Sequence, residues 1–141
     1  MSDKVFFDTN VLVYAFDKSE PEKGAIARQL IRDFGTDGSL VLSTQVLQEY
    51  YVTVTKAGKS LLTREEAEEI VNDFAEFPLV QVDKSVVLRA MKRHQSEVFS
   101  FWDSLIVESA IQSGCSQLLS EDMQHGLVVD SLTICNPFIS S

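Results

Sequence analysis

The chain has 141 residues, 45% of them hydrophobic and 23% charged, which suits one globular domain and excludes disordered and fibrous classes. Its net charge of −9 excludes a protein that grips nucleic acid over a broad basic face, though not one that reaches it through bound cations. No apolar run approaches the roughly 20 residues that cross a bilayer.

The N-terminus, Met1-Ser2-Asp3-Lys4, lacks the basic stretch and apolar core of a signal peptide. Lys4 to Phe7 reads as a first strand whose unbroken apolar character predicts burial on both faces. Asp8 stands at its carboxyl end, and a short helical segment follows from about Val11 to Phe16. Ser19-Glu20-Pro21-Glu22 reads as a helix start with a serine cap and early proline. That helix carries Ala25, Ala27, Leu30, Ile31 and Phe34 and stops near Gly35 to Gly38. Leu40 to Leu42 is a second buried strand. Ser43 or Thr44 then caps a helix in which Val46, Leu47, Tyr50, Tyr51 and Val54 recur at helical spacing, ended by Gly58. Thr63-Arg64-Glu65-Glu66 is a capping box for a helix through about Phe77. Its acidic run to Glu69 is a solvated face.

Val80 to Val82 is a third strand, and Asp83 caps a helix to about His94. Ser100 to Asp103 opens a helix with Leu105, Ile106, Ala110 and Ile111, ended by Gly114. Gln117 to Leu119 and Leu132 to Ile134 are the fourth and fifth strands. Short strands alternating with longer helices predict one α/β domain over residues 1–141 with a mostly parallel sheet. Cys115 and Cys135 form no spaced framework, as expected of reduced thiols in a cytoplasmic protein.

Four acids occupy marked places in this order. Ligands of open parallel sheets collect outside the carboxyl ends of the strands. Asp8 and Asp122 each follow a strand, and Asp103 opens a helix at that same edge. Glu49 lies about two turns into the helix after the second strand. Together they would form an all-oxygen site suited to Mg²⁺ or Mn²⁺ rather than zinc. Two such cations would cancel the four charges. Each acid also has a plainer reading. Asp8-Thr9-Asn10 can be a capped strand-to-helix turn, and Asp103 can complete a cap with Ser100. Glu49 can be a surface acid, and Ser120-Glu121-Asp122 a turn.

The strand-Asp8-Thr9-Asn10 start, the helical Glu49, Trp102-Asp103-Ser104-Leu105-Ile106, and Leu119-Ser120-Glu121-Asp122-Met123-Gln124-His125-Gly126 together resemble the PIN-domain family. Within it they look most like the VapC-type toxins of prokaryotic toxin–antitoxin pairs. The resemblance spans nearly the whole chain. It implies a three-layer α/β/α fold with a sheet of about five strands, and a Mg²⁺- or Mn²⁺-dependent endoribonuclease. By the same resemblance Asp8, Glu49, Asp103 and Asp122 make the metal site, with Glu121 the local competitor of Asp122. Thr9 and Asn10 support the pocket or the attacking water, and Ser120 holds a position where the family often has a small hydroxyl residue. The implied partners are an RNA substrate, a small antitoxin and a second copy of the chain.

Lys56, Lys59, Lys92, Arg93 and His94 are candidate RNA contacts, each set against a plain surface role. Phe99, Phe101 and Trp102 could stack bases, against burial in the core or a dimer seam. His94 and His125 have no second histidine or cysteine at ligand spacing and read as surface or hydrogen-bonded residues. Three other functions compete. A phosphoacceptor signalling domain would need paired acids after the first strand and a lysine after a late one, and neither is present. A PIN-like module that binds without cutting is opposed by the retention of all four acids. A free-standing RNA-processing or DNA nuclease without an antitoxin keeps the chemistry and changes only the biology.

Overall fold

The computed structural model describes residues 3–139, so the reading at Met1 and Ser2 lies outside the described residues. Strands β1 (Val5–Phe7), β2 (Leu40–Ser43), β3 (Leu79–Val80), β4 (Gln117–Leu119), β5 (Val128–Val129) and β6 (Leu132–Cys135) form one sheet in the order β3-β2-β1-β4-β6-β5. All pairings are parallel except β5 against β6. Helices α1 (Thr9–Tyr14), α2 (Pro21–Thr36), α3 (Thr44–Val54), α4 (Arg64–Phe74), α5 (Lys84–His94) and α6 (Phe101–Gln112) flank it. This is the three-layer α/β/α arrangement expected, with six strands instead of five.

The sheet is held by what its central strands bury. Phe6, Phe7, Leu40, Leu42, Leu118 and Ile134 are inaccessible to solvent. Complete burial of such a side chain contributes about 1.5–3 kcal/mol. The continuous apolar runs thus did mark strands covered on both faces.

The helix starts follow their caps. Ser43, rather than Thr44, accepts from the Val46 amide at the head of α3. Thr63 and Glu66 close a reciprocal capping box on α4. Asp83 and Ser100 cap α5 and α6. The expected serine cap of α2 is absent: Glu20 holds that position without a side-chain bond, while the Ser19 hydroxyl turns back to Asp17 at 2.6 Å. Proline at the first position suffices there because it has no amide to satisfy.

Helix ends were overrun, with α3 stopping at Val54 and α4 at Phe74. Ala25, expected on the packed face of α2, is exposed. Gly24 lets α2 approach α1 closely: a Cβ there would stand 3.0 Å from the Tyr14 carbonyl. Cys115 and Cys135 are free thiols. Among the described residues no helix is long and apolar enough to cross a membrane.

Candidate metal centre

The chain runs β1 to β2 to β3 on one side of the sheet, then returns to place β4 on the other side of β1. The crevice where the strand order reverses lies between the carboxyl ends of β1 and β4, the position at which open α/β sheets bind ligands. The register sets Phe7 beside Leu119, so Asp8 and Ser120 are the first residues past the two strands. Their side chains meet: Ser120 Oγ donates to Asp8 Oδ2 at 2.8 Å. Asp8 Oδ1 accepts the Thr9 amide at 2.8 Å and caps α1. The capping reading of Asp8 and its place in the crevice are therefore both true, one oxygen serving each.

Asn10 joins the two strand ends. Its Nδ2 donates to Asp122 Oδ2 at 3.1 Å and lies 3.3 Å from Asp8 Oδ2, while its Oδ1 accepts the Glu121 amide at 3.0 Å. Glu49 reaches the same place from α3, where its Oε1 accepts from Thr9 Oγ1 at 2.7 Å. Asp103 arrives on the first turn of α6, whose cap Ser100 accepts the Asp103 amide at 3.1 Å. Asp8, Glu49, Asp103 and Asp122 all line one pocket of about 720 Å³, together with Thr9, Asn10, Val13, Tyr14 and Asp17.

The electrostatics record their proximity. Asp8 is 7% exposed, and its pKa is pushed up to about 6. Burial is the main cause; the hydrogen bonds from Ser120 and Thr9 oppose it, and the charges of Glu49 and Asp103 add to it. Asp103 is raised too, first by burial, against the Ser100 hydrogen bond, and further by Asp122 and Glu49. The smaller, mutual part of these shifts is what like charges held close together produce.

Among the described residues no three His, Cys, Asp or Glu groups stand close enough to share one ion as placed. The donor set nevertheless fits a hard divalent cation: four carboxylates on the wall of one pocket, none of them in an ion pair among the described residues. Glu121 is not among the lining residues. It accepts from Tyr14 Oη at 2.5 Å and pairs with Lys23 Nζ at 2.6 Å. Its burial would raise its pKa, but the bonds from Lys23 and Tyr14 outweigh that and hold it low. Between the two competitors, it is Asp122 that faces the pocket.

Other readings are revised. Arg93 is not a free cation, because it bonds Glu108 and Asp130. Lys56, Lys59, Lys92 and His94 are exposed, and the His94 ring meets that of Phe101 edge-on. His125 Nδ1 accepts the Asn136 amide at 2.9 Å. Phe99 and Phe101 pack against the core, as expected. Trp102 does not, and is 63% exposed. Sequence reasoning missed Gln45, which donates to Glu49 Oε2 at 3.1 Å. Its i,i+4 spacing from Glu49 was the available signal. It also missed Tyr14 and Lys23, which draw Glu121 away.

A family profile described as PIN domain matches residues 5–127. No curated protein matches the chain in sequence. Solved structures do match in shape. A toxin–antitoxin complex from Klebsiella pneumoniae superposes with a TM-score of 0.70 at 15% identity, over 96% of this chain and 98% of that one. A DNA-bound VapBC complex from Salmonella typhimurium gives 0.67 at 14% identity, covering 94% and 97%. A Mycobacterium tuberculosis VapC toxin described as cleaving the sarcin–ricin loop gives 0.62 at 14% identity, covering 84% and 92%. At these identities the likeness is one of fold.

Proposed function

Because the chain belongs to the PIN-domain family, whose members are typically nucleases using divalent metals, we propose that it is a Mg²⁺- or Mn²⁺-dependent endoribonuclease. On this reading residues 1–141 are a single nuclease domain, the toxin of a toxin–antitoxin pair, working in the cytoplasm. The observation that carries it is the meeting of Asp8, Glu49, Asp103 and Asp122 on one pocket at the switch point of the sheet.

The four carboxylates would hold the ion or ions. A bound divalent cation supplies Lewis acidity to the phosphate and a more acidic water. The chain's own residues do the rest. Thr9 keeps one Glu49 oxygen oriented. Ser120 spends its proton on Asp8 Oδ2 and its oxygen on the Asp122 amide, fixing two acids through one hydroxyl. Asn10 holds Asp122 and the backbone behind it. Such preorganisation removes reorganisation from the hydrolytic step, in which water adds to phosphorus and the bond to the leaving ribose oxygen breaks.

RNA as substrate, an antitoxin and a second copy of the chain as partners belong to the same proposal. The antitoxin is supported by complexes of that kind among the structures of like fold. The test is cleavage of total RNA by the purified chain with Mg²⁺ or Mn²⁺, with EDTA, and by Asp8→Asn. Cleavage is expected only with metal and to fall at least about 100-fold in the variant. Undiminished cleavage by Asp8→Asn would sink the proposal.

A further inference from the structure

We propose that Gln45 is a positioning residue: it fixes Glu49 in the pocket and ties it to the turn of α6 that carries Asp103. The inference rests on the reading above, that these acids hold a divalent ion. Gln45 stands in the first turn of α3 and is 6% exposed. Its Nε2 donates to Glu49 Oε2 at 3.1 Å and to the Trp102 carbonyl at 3.2 Å. Both partners are acceptors only, so the amide can stand only with its nitrogen towards them. Each of its two N–H groups is thereby used.

The first bond runs along α3 at i,i+4 spacing. The second crosses to α6, where Trp102 immediately precedes Asp103. Thr9 holds the other Glu49 oxygen at 2.7 Å. Glu49 is thus gripped on both oxygens, by a hydroxyl from α1 and an amide from its own helix.

A second observation sets Gln45 apart from a packing residue. Its Oε1 is buried without a hydrogen-bond partner. Buried acceptors are normally paired, and a position serving packing alone would be filled by an apolar side chain with nothing to orphan. The orphaned oxygen is the corollary of aiming the nitrogen at Glu49. Groups that orient metal ligands in this way typically govern metal affinity.

The experiment is a Mn²⁺ titration of the full chain followed by water-proton relaxation, which reads weak as well as tight binding. Gln45→Met keeps the side chain's length and removes the donor. It should bind Mn²⁺ about tenfold more weakly than wild type while melting no lower, because the orphaned oxygen goes with the amide. Gln45→Leu, a second route to the same loss, should behave alike. In a Glu49→Ala background the penalty of Gln45→Met should shrink below about threefold, since the group being oriented is gone.

Equal Mn²⁺ affinity in wild type and Gln45→Met overturns the inference alone, as does an undiminished penalty without Glu49. Absence of Mn²⁺ binding by the wild-type chain overturns the metal-nuclease reading, and the inference with it.

Discussion

At the scale of single residues, Asp8 carries the clearest conflict between stability and function. Its carboxyl is lifted from 3.8 to about 6, so the folded chain holds that proton more tightly than the unfolded chain. Stability is then lost as pH rises from about 4 to about 6, to a total of about 2–3 kcal/mol. Asp8→Asn removes the charge and keeps the shape. It should raise the melting temperature at pH 7 by an amount worth about 1–2 kcal/mol, the hydrogen bonds from Thr9 and Ser120 being partly lost. The gain should be mostly gone at pH 4, where the folded wild-type carboxyl is protonated and the unfolded one is about half so. Parallel thermal melts at the two pH values check this, and a destabilised variant at pH 7 contradicts it. Asp8, Asp103 and Asp122 were legible in the sequence because each stands just beyond a strand or a helix cap, and backbone geometry aims them. The tie from Gln45 to the Trp102 carbonyl and the diversion of Glu121 to Tyr14 and Lys23 were not, since they depend on groups meeting from different elements.

At the scale of elements, most helices announced themselves through their caps, and one strand, β5, not at all. Thr63 and Glu66 satisfy each other's backbone amides. Thr63→Ala should therefore cost about 1 kcal/mol, seen as a lower melting temperature, with metal-dependent cleavage unchanged because α4 contributes nothing to the pocket lining. β5 is two residues long, too short for any alternation to register. β5 turns into β6 through Asp130, which adopts a φ of 54°. Without glycine or asparagine there, the usual hairpin signal was missing. The expected strand at Val80 to Val82 ends two residues early because Val82 gives its amide to Thr44 Oγ1 at 3.1 Å instead of to a neighbouring strand.

At the scale of the whole molecule, charge sets the terms of substrate binding. With 12 Lys and Arg against 21 Asp and Glu, and Lys23 and Arg93 already paired, few cations remain for phosphates. Binding of single-stranded RNA by Asp8→Asn should lose no more than about tenfold between about 50 and about 200 mM salt, the slope of roughly two phosphate contacts. A steep slope, measured by fluorescence anisotropy, would reveal a basic track the charge balance does not suggest. Sheet topology has a different reach. The pocket is closed by joining the end of β1 to the end of β4, through Asn10 and Ser120. These are places more than a hundred residues apart along the chain, yet adjacent strands in space. A chain still being synthesised therefore cannot assemble the centre until β4 has emerged from the ribosome and docked against β1. A nascent chain that stops short of β4 is thus born unarmed: it carries Asp8, Glu49 and Asp103 without Asp122, and without the Ser120 hydroxyl that ties Asp8 to the far strand end.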